Sequence, residues 1–263
     1  MIRILGPTQI THYSLSLKGK TCIVTGGSSG IGFEISKTLS MQHCRTIVTS
    51  RNVNRAIRAV RLIGGNAVAM ELDISNSNSV RNFARNLKKN FTRIDILINN
   101  AGYPFKRRIW FKKLHQLSEM ELSKVLDVDL IGSFRITKEI IKMMLLNGGV
   151  VINISSTPAI SGHKYGSAYS IAKAGLASIT KHLALEYGSS NVRAYTIALG
   201  NISTDATYKS LTILERKKAN NENAMKRWGK PEEVAKVVSA LASDSFTYAT
   251  GNTIVVDGGF III

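Results

Sequence analysis

Short apolar runs alternate with amphipathic stretches along this chain, and that alternation predicts an α/β fold. Lys20 to Thr25 is a β-branched run, Gly26 to Gly32 a glycine-rich turn, and a helical pattern follows through Leu39. The unit then recurs. Thr46 to Thr49 predicts a strand, Val53 to Ile63 a helix closed by Gly64 and Gly65, Ala67 to Leu72 a strand, Ser79 to Asn90 a helix, and Ile94 to Ile98 a strand ending in Asn99. The connections are too long for hairpins, so they predict parallel pairing through right-handed crossovers. The second half continues with a helix over Glu119 to Leu146, a strand at Val150 to Ile154, a helix from about Ala168 to Tyr187, and strands at Arg193 to Ala198 and Thr253 to Val256. Between those last strands, Asn201 to Trp228 is rich in Thr, Asn, Lys and Glu and only weakly periodic, which predicts a mobile lid. Pro231 opens a further helix, with Glu232 and Glu233 at the positive end of its dipole. Neither a short-period repeat nor a low-complexity linker divides the chain. Residues 1–17 read as an amino-terminal extension and 18–263 as a single domain, a doubly wound parallel sheet in three layers.

Composition narrows the class. With 263 residues, 44% of them hydrophobic and 20% charged, the chain can bury one large core and is not disordered. Cys22 and Cys44 lack metal-ligand spacing and sit in or beside apolar stretches, so free buried thiols in a reducing cytoplasm are expected, and no metal site. Met1 to Leu17 mixes polar and apolar residues without a cleavage-site pattern, which argues against a signal peptide. The longest apolar stretch, Leu122 to Leu146, is broken by charges, so a soluble protein without a membrane span is expected. The formal net charge of +18 raises the question of a polyanionic partner. The basic residues recur at helical spacing, as in Arg51, Arg55, Arg58 and Arg61, then Arg81, Arg85, Lys88 and Lys89. A solvated basic face explains this; attraction of an anionic cofactor, an acyl carrier or a polyanion stays open. Nucleic acid is the less favoured partner, because no basic arm with interleaved aromatics is present.

Candidate chemistry starts at Thr25-Gly26-Gly27-Ser28-Ser29-Gly30-Ile31-Gly32, between the first strand and the first helix. There, backbone N–H groups and the helix dipole can receive a dinucleotide pyrophosphate, as in Rossmann-type folds. Asn99-Asn100-Ala101-Gly102 follows the fourth strand, Tyr169 and Lys173 are four residues apart on a predicted helix, and Ser156 lies thirteen residues before Tyr169. The glycine spacing, N-N-A-G, Y-x-x-x-K and the preceding serine resemble the short-chain dehydrogenase/reductase family over roughly residues 18 to 260.

The resemblance implies a hydride-transferring oxidoreductase with a nicotinamide cofactor. Gly26, Ser28, Ser29, Gly30, Ile31 and Gly32 would hold the pyrophosphate, Asp73 the adenine, and Asn100, Ala101, Gly102, Gly200, Ile202 and Thr204 the nicotinamide side. Asp73 could instead cap the next helix. The second strand ends Thr49-Ser50-Arg51-Asn52 without the carboxylate that selects NAD(H). Arg51 can pair with a 2′-phosphate, and Arg55 can add charge, so NADP(H) is favoured over NAD(H), although Ser29 stands where many NADP-preferring relatives carry a basic residue.

Reduction of a ketone leaves an alkoxide that needs an acid and hydrogen-bond donors. Tyrosine, with an unperturbed pKa of about 10, is a weak base alone, and an ammonium on the same helix face favours the phenolate. The resemblance makes Tyr169 the acid/base, Lys173 its partner and a ligand of the nicotinamide ribose, and Ser156 the group that polarises the carbonyl; Ser155, twelve residues from Tyr169, is the weaker candidate. Two departures stand out. Asp129 occupies the place of the family's catalytic asparagine, where it could pair with Lys173 or relay protons with a different pH dependence. Leu199 precedes Gly200 where relatives usually have proline, which predicts a looser start to the lid.

Gly229 to Val234 and Val256 to Gly259 look most like the 3-oxoacyl thioester reductases and sugar dehydrogenases of the family. The basic surface favours a 3-oxoacyl thioester, with a sugar or other alcohol as the alternative substrate. A protein of another class, an NADP(H)-binding scaffold or sensor altered at Asp129, is kept beside them. Relatives commonly form tetramers through the two long helices of the second half and the carboxy-terminal segment, and the apolar Phe260 to Ile263 end fits burial in a homotetramer.

Overall fold

The computed structural model describes residues 17–262. Seven strands form one parallel sheet in the order β3-β2-β1-β4-β5-β6-β7: β1 (Thr21–Val24), β2 (Arg45–Ser50), β3 (Val68–Glu71), β4 (Ile96–Asn99), β5 (Gly149–Ser156), β6 (Val192–Leu199) and β7 (Asn252–Val256). The order reverses between β1 and β4, which opens a crevice at the carboxyl ends of those strands.

Alternation along the strands sends side chains to two cores. Cys22, Val24, Ile96, Ile98, Ile152 and Ile154 face helices α1 (Gly30–Met41) and α11 (Pro231–Ala242), through Ile35, Leu39, Val234 and Val238. Ile23, Ile47, Leu97 and Val151 face α3 (Ser77–Asn90), α6 (Ser133–Met144) and α8 (Ser167–Tyr187), through Phe83, Leu87, Ile140, Met144 and Leu183. Helix α2 (Val53–Ile63) packs on β2 and β3. Each large aliphatic residue taken fully from water contributes roughly 1.5–3 kcal/mol. The inner strands β1, β2, β4, β5 and β6 are buried on both faces and read as apolar runs rather than alternating ones, whereas the edge strands β3 and β7 stay partly exposed.

Several expectations change at element ends. The helix expected over Glu119 to Leu146 is α5 (Glu119–Leu126), a π-helical turn at Asp127–Gly132, and α6 ending at Met144. No proline or glycine pair announces the widened turn, and such turns cluster at functional sites. The expected lid contains α9 (Asp205–Tyr208) and α10 (Ile213–Asn221), started by Thr204 and Thr212, whose hydroxyls accept N–H bonds from Thr207 and Glu215. Two further short helices, α4 (Arg107–Trp110) and α7 (Pro158–Ser161), follow β4 and β5. Asn76, not Asp73, caps α3, accepting from Asn78 and Ser79.

Leu17, assigned to the extension, is fully buried against Cys22 and Cys44, so the packed domain includes it; the rest of the extension and Ile263 lie outside the described residues. Both cysteines are free and buried. Among the described residues, no helix is long and apolar enough to cross a membrane, and no group of three or more His, Cys, Asp or Glu residues could hold a metal.

Candidate active site

The crevice is built by hydrogen bonds that tie loop ends to the sheet. Thr25 Oγ1 accepts the N–H groups of Asn100 (2.9 Å) and Ala101 (3.0 Å), and Asn100 Nδ2 donates to the Thr25 carbonyl at 2.9 Å. A Cβ on Gly32 would strike Asn100 Nδ2 and the Gly26 carbonyl, so only glycine lets the first turn of α1 pass this close. Helix α1 starts at Ser29 without a side-chain cap, unlike α2, α3, α5 and α10, and Ser29 and Gly30 are exposed. Its first N–H groups and dipole therefore face the crevice, which fits a pyrophosphate. Thr204 comes within 3.6 Å of where a Cβ on Gly30 would stand, so the segment after β6 reaches over this turn.

Gly27 N–H donates to the Thr49 carbonyl at 3.0 Å, joining the turn to the end of β2. Arg51 follows two residues later, exposed and without a carboxylate partner among the described residues. Asp73 Oδ1 accepts from the Ser75 N–H (3.0 Å) and hydroxyl (2.7 Å) in a turn of its own.

A buried polar chain ties β4 and β5 to α6 and to α8, the helix that carries Tyr169 and Lys173. Asn99 Nδ2 donates to Thr137 Oγ1 on α6 and to Asn153 Oδ1 on β5, each at 2.8 Å; Asn153 Nδ2 donates to Thr180 Oγ1 on α8 at 2.8 Å, and Thr180 meets Thr196 of β6 at 2.7 Å. Tyr169 and Lys173 then lie one turn apart on α8, with Lys173 Nζ 5.6 Å from the Tyr169 ring centre and donating to the Ile154 carbonyl at 3.1 Å. Ser156, at the end of β5, donates to the Leu199 carbonyl at 3.2 Å. The Ser155 hydroxyl is spent on the Lys173 carbonyl at 3.0 Å, on the buried side.

Asp129 sits in the π-helical turn with no exposed surface. Its Oδ1 accepts the Tyr103 N–H at 2.6 Å and its Oδ2 has no partner. Burial pushes its carboxyl above the ordinary 3.8, and the Lys173 charge and the Tyr103 N–H offset this only in part. No Asp129–Lys173 ion pair forms among the described residues, because Lys173 is turned to the Ile154 carbonyl; the expected pairing gives way to an influence at longer range. The start of the lid is not loosened by Leu199. That residue is 5% exposed and pairs with Ser156 and Val256, while Gly200 N–H donates to the Val256 carbonyl at 3.0 Å. Ile202 is buried and bridges to Gly229.

Residues 26–261 match a family model described as "Enoyl-(Acyl carrier protein) reductase". The chain belongs to the short-chain dehydrogenase/reductase family. It is 35% identical to a 3-oxoacyl-(acyl carrier protein) reductase of Chlamydia trachomatis, over 92% of this chain and 98% of that protein. It is 31% identical to glucose 1-dehydrogenase 2 of Bacillus subtilis, over 92% of this chain and 95% of that one. Among solved structures, a putative gluconate dehydrogenase from Agrobacterium tumefaciens superposes with a TM-score of 0.89 at 27% identity, covering 95% of this chain and 98% of that one. This short-chain dehydrogenase/reductase is therefore an oxidoreductase of a family that works with a nicotinamide cofactor.

Sequence reasoning missed three features of this family member's site. One is the Asn99–Asn153–Thr180 chain. Another is the Tyr103 N–H that holds Asp129. The last is Trp110 of α4, whose ring centre lies 5.7 Å from that of Tyr169. The only signal was the basic-aromatic run Phe105 to Lys113, which the expectation of dispersed basic residues without interleaved aromatics overlooked and which has no periodicity to flag it.

Proposed function

We propose that this chain interconverts a carbonyl and a secondary alcohol with NADP(H) in preference to NAD(H), and that its substrate is a 3-oxoacyl thioester. The observation that carries the chemistry is the buried Lys173 ammonium 5.6 Å from the Tyr169 ring and donating to the Ile154 carbonyl, two residues before Ser156. Gly26 to Gly32 would hold the pyrophosphate, Arg51 the 2′-phosphate, Asp73 the adenine, Tyr169 and Lys173 the ribose, and Asn100, Ala101, Gly102, Gly200, Ile202 and Thr204 the nicotinamide side. When bound, the nicotinamide supplies or accepts the hydride.

The chain's own residues handle the oxygen. Ser156 turns its hydroxyl from the Leu199 carbonyl to the substrate oxygen, and Tyr169 gives that oxygen its proton as negative charge develops. Lys173, itself buried, faces the phenolate left behind, so the charge stays compensated. Asp129 acts at one remove, through the Tyr103 backbone and the field on Lys173.

The likeness to the chlamydial reductase and the charge of +18 support an acyl thioester, by attraction of an acidic carrier or of coenzyme A phosphates. The likeness to glucose 1-dehydrogenase 2 favours a sugar or another alcohol as the second reading. A scaffold or sensor that binds NADP(H) without turnover rests on Asp129 alone. Ile131, Phe134, Ile171 and Leu185 are exposed on the two long helical segments and support a homotetramer, in a cytoplasmic setting. The test is NADPH oxidation with an acetoacetyl thioester, run beside NADH and a Tyr169→Phe variant. Turnover by the parent with NADPH and none by the variant supports the reading. NADPH binding without turnover on thioesters, sugars or alcohols favours the scaffold.

A further inference from the structure

The segment between β4 and α5, residues 100–118, carries Lys106, Arg107, Arg108, Lys112 and Lys113 and not one carboxylate; the segment between β5 and α8, residues 157–166, carries His163 and Lys164 and none either. The two meet at Trp110. Its ring centre is 5.7 Å from each of Phe105, His163 and the expected acid/base Tyr169. Gly166 N–H donates to the Trp110 carbonyl at 2.8 Å, and a Cβ on Gly166 would come within 2.5 Å of the indole. Gly166 is also the residue that starts α8. The indole is thereby clamped to the end of the helix that carries Tyr169, on the substrate side of the crevice, and forms a wall beside the phenol.

The charges around this wall are not all neutralised. Glu121 takes Arg108 (2.8 Å) and Lys112 (2.7 Å), and Glu215 of α10 takes Arg107 (3.1 Å), which ties the rim to the segment over the site. Lys106 follows Phe105 and Lys164 follows His163, so a lysine is adjacent in sequence to two of the three ring neighbours of Trp110. Neither has a carboxylate partner among the described residues; each lies over a tyrosine ring, Lys106 at 5.5 Å from Tyr103 and Lys164 at 5.6 Å from Tyr165. A neutral alcohol or sugar offers these ammonium groups hydrogen-bond acceptors but no charge to neutralise theirs.

We propose that the substrate is an anionic carbonyl compound, seated with its apolar part on Trp110 and its anionic group between Lys106 and Lys164. This rests on the carbonyl-reducing reading above and narrows its substrate class. A carboxylate on the ketone itself and the phosphates of a coenzyme A thioester present the same chemistry to the two lysines.

Binding to the NADP⁺-loaded protein reads this without turnover, since a ketone and oxidised cofactor cannot react. Cofactor binding is measured first, so that its failure counts against the cofactor reading alone; NAD⁺ then replaces NADP⁺ in the ketone titrations. Two matched pairs are titrated calorimetrically: 4-acetylbenzoate against its methyl ester, and acetoacetyl coenzyme A against the uncharged acetoacetyl N-acetylcysteamine thioester. The anionic member of at least one pair is expected to bind about tenfold more tightly, with the preference falling toward unity in a Lys106→Ala, Lys164→Ala double variant and on raising salt. Trp110→Phe should retain most of the affinity, and Trp110→Ala should weaken both members of that pair alike. Preference in the first pair identifies a carboxylate; preference in the second identifies phosphates. Equal binding within both pairs, no binding by any of the four, or a preference that survives the double variant overturns the proposal.

Discussion

Replacing Asp129 by asparagine exposes the cost of a carboxylate held away from water. Asp129 has no exposed surface, one backbone N–H on Oδ1 and nothing on Oδ2. Burial, the largest influence, raises its carboxyl above 3.8, so the sign is opposite to that of most native carboxylates. The stability associated with neutral Asp129 is complete below pH 3.8, is lost as pH rises through the raised folded-state value, and is absent above it. Each unit of upward displacement corresponds to about 1.4 kcal/mol of penalty at higher pH. Asparagine has nearly the same shape, accepts the same Tyr103 N–H and carries no charge, so the variant escapes that penalty. At roughly 2–4 °C per kcal/mol for a chain of this size, the variant should gain about 3–6 °C in Tm per unit of displacement at pH 8, and nothing near pH 4. Thermal unfolding at half-unit pH steps measures this. The pH profile of kcat/KM, run in parallel, should keep its activity and shift in the variant, because the charge that acts on Lys173 is gone. A Tm difference independent of pH together with overlaid kinetic profiles would refute the reasoning.

Three further outcomes follow from other parts of the molecule. Arg51→Ala should lower kcat/KM with NADPH by about tenfold to a hundredfold, the scale of one charge-assisted contact, and leave NADH unchanged; equal losses with both cofactors would remove Arg51 from 2′-phosphate recognition. The Glu121 carboxyl is held down to about 2, first by its hydrogen bonds from Lys112, then by the Ser118 N–H. Its contribution is therefore present above pH 4.5 and lost as pH falls toward 2, so Glu121→Gln should melt below the parent at pH 7, and thermal unfolding should show that difference shrinking over that window; a difference independent of pH would refute the assignment. Ile98→Ala, between two fully packed strands, should cost about 2–5 kcal/mol, read as a lower urea midpoint at unchanged slope.

Most strands and long helices were legible in the residue order, as were the residue types of the candidate site. The residues buried on both sheet faces are continuous β-branched runs, the helix Val53–Ile63 ends where Gly64 must adopt φ +69, and the glycine turn, N-N-A-G, Ser156 and the Tyr169–Lys173 pair are local signals of fixed spacing. Local spacing is also why Tyr169 and Lys173 could be placed on one helix face before any packing was known. What depends on distant chain segments emerged only from the packed fold. Nothing near Asp129 in the chain tells that Tyr103, 26 residues away, supplies its hydrogen bond, or that Lys173 turns to the Ile154 carbonyl instead of pairing with it. Leu199 reads as a missing proline, yet it is a paired strand residue because β5 and β7 flank it. The π-helical turn and the seat of Trp110 on Gly166 belong to the same kind: each is fixed by packing between segments far apart in sequence, and hydrophobic period carries no record of such contacts.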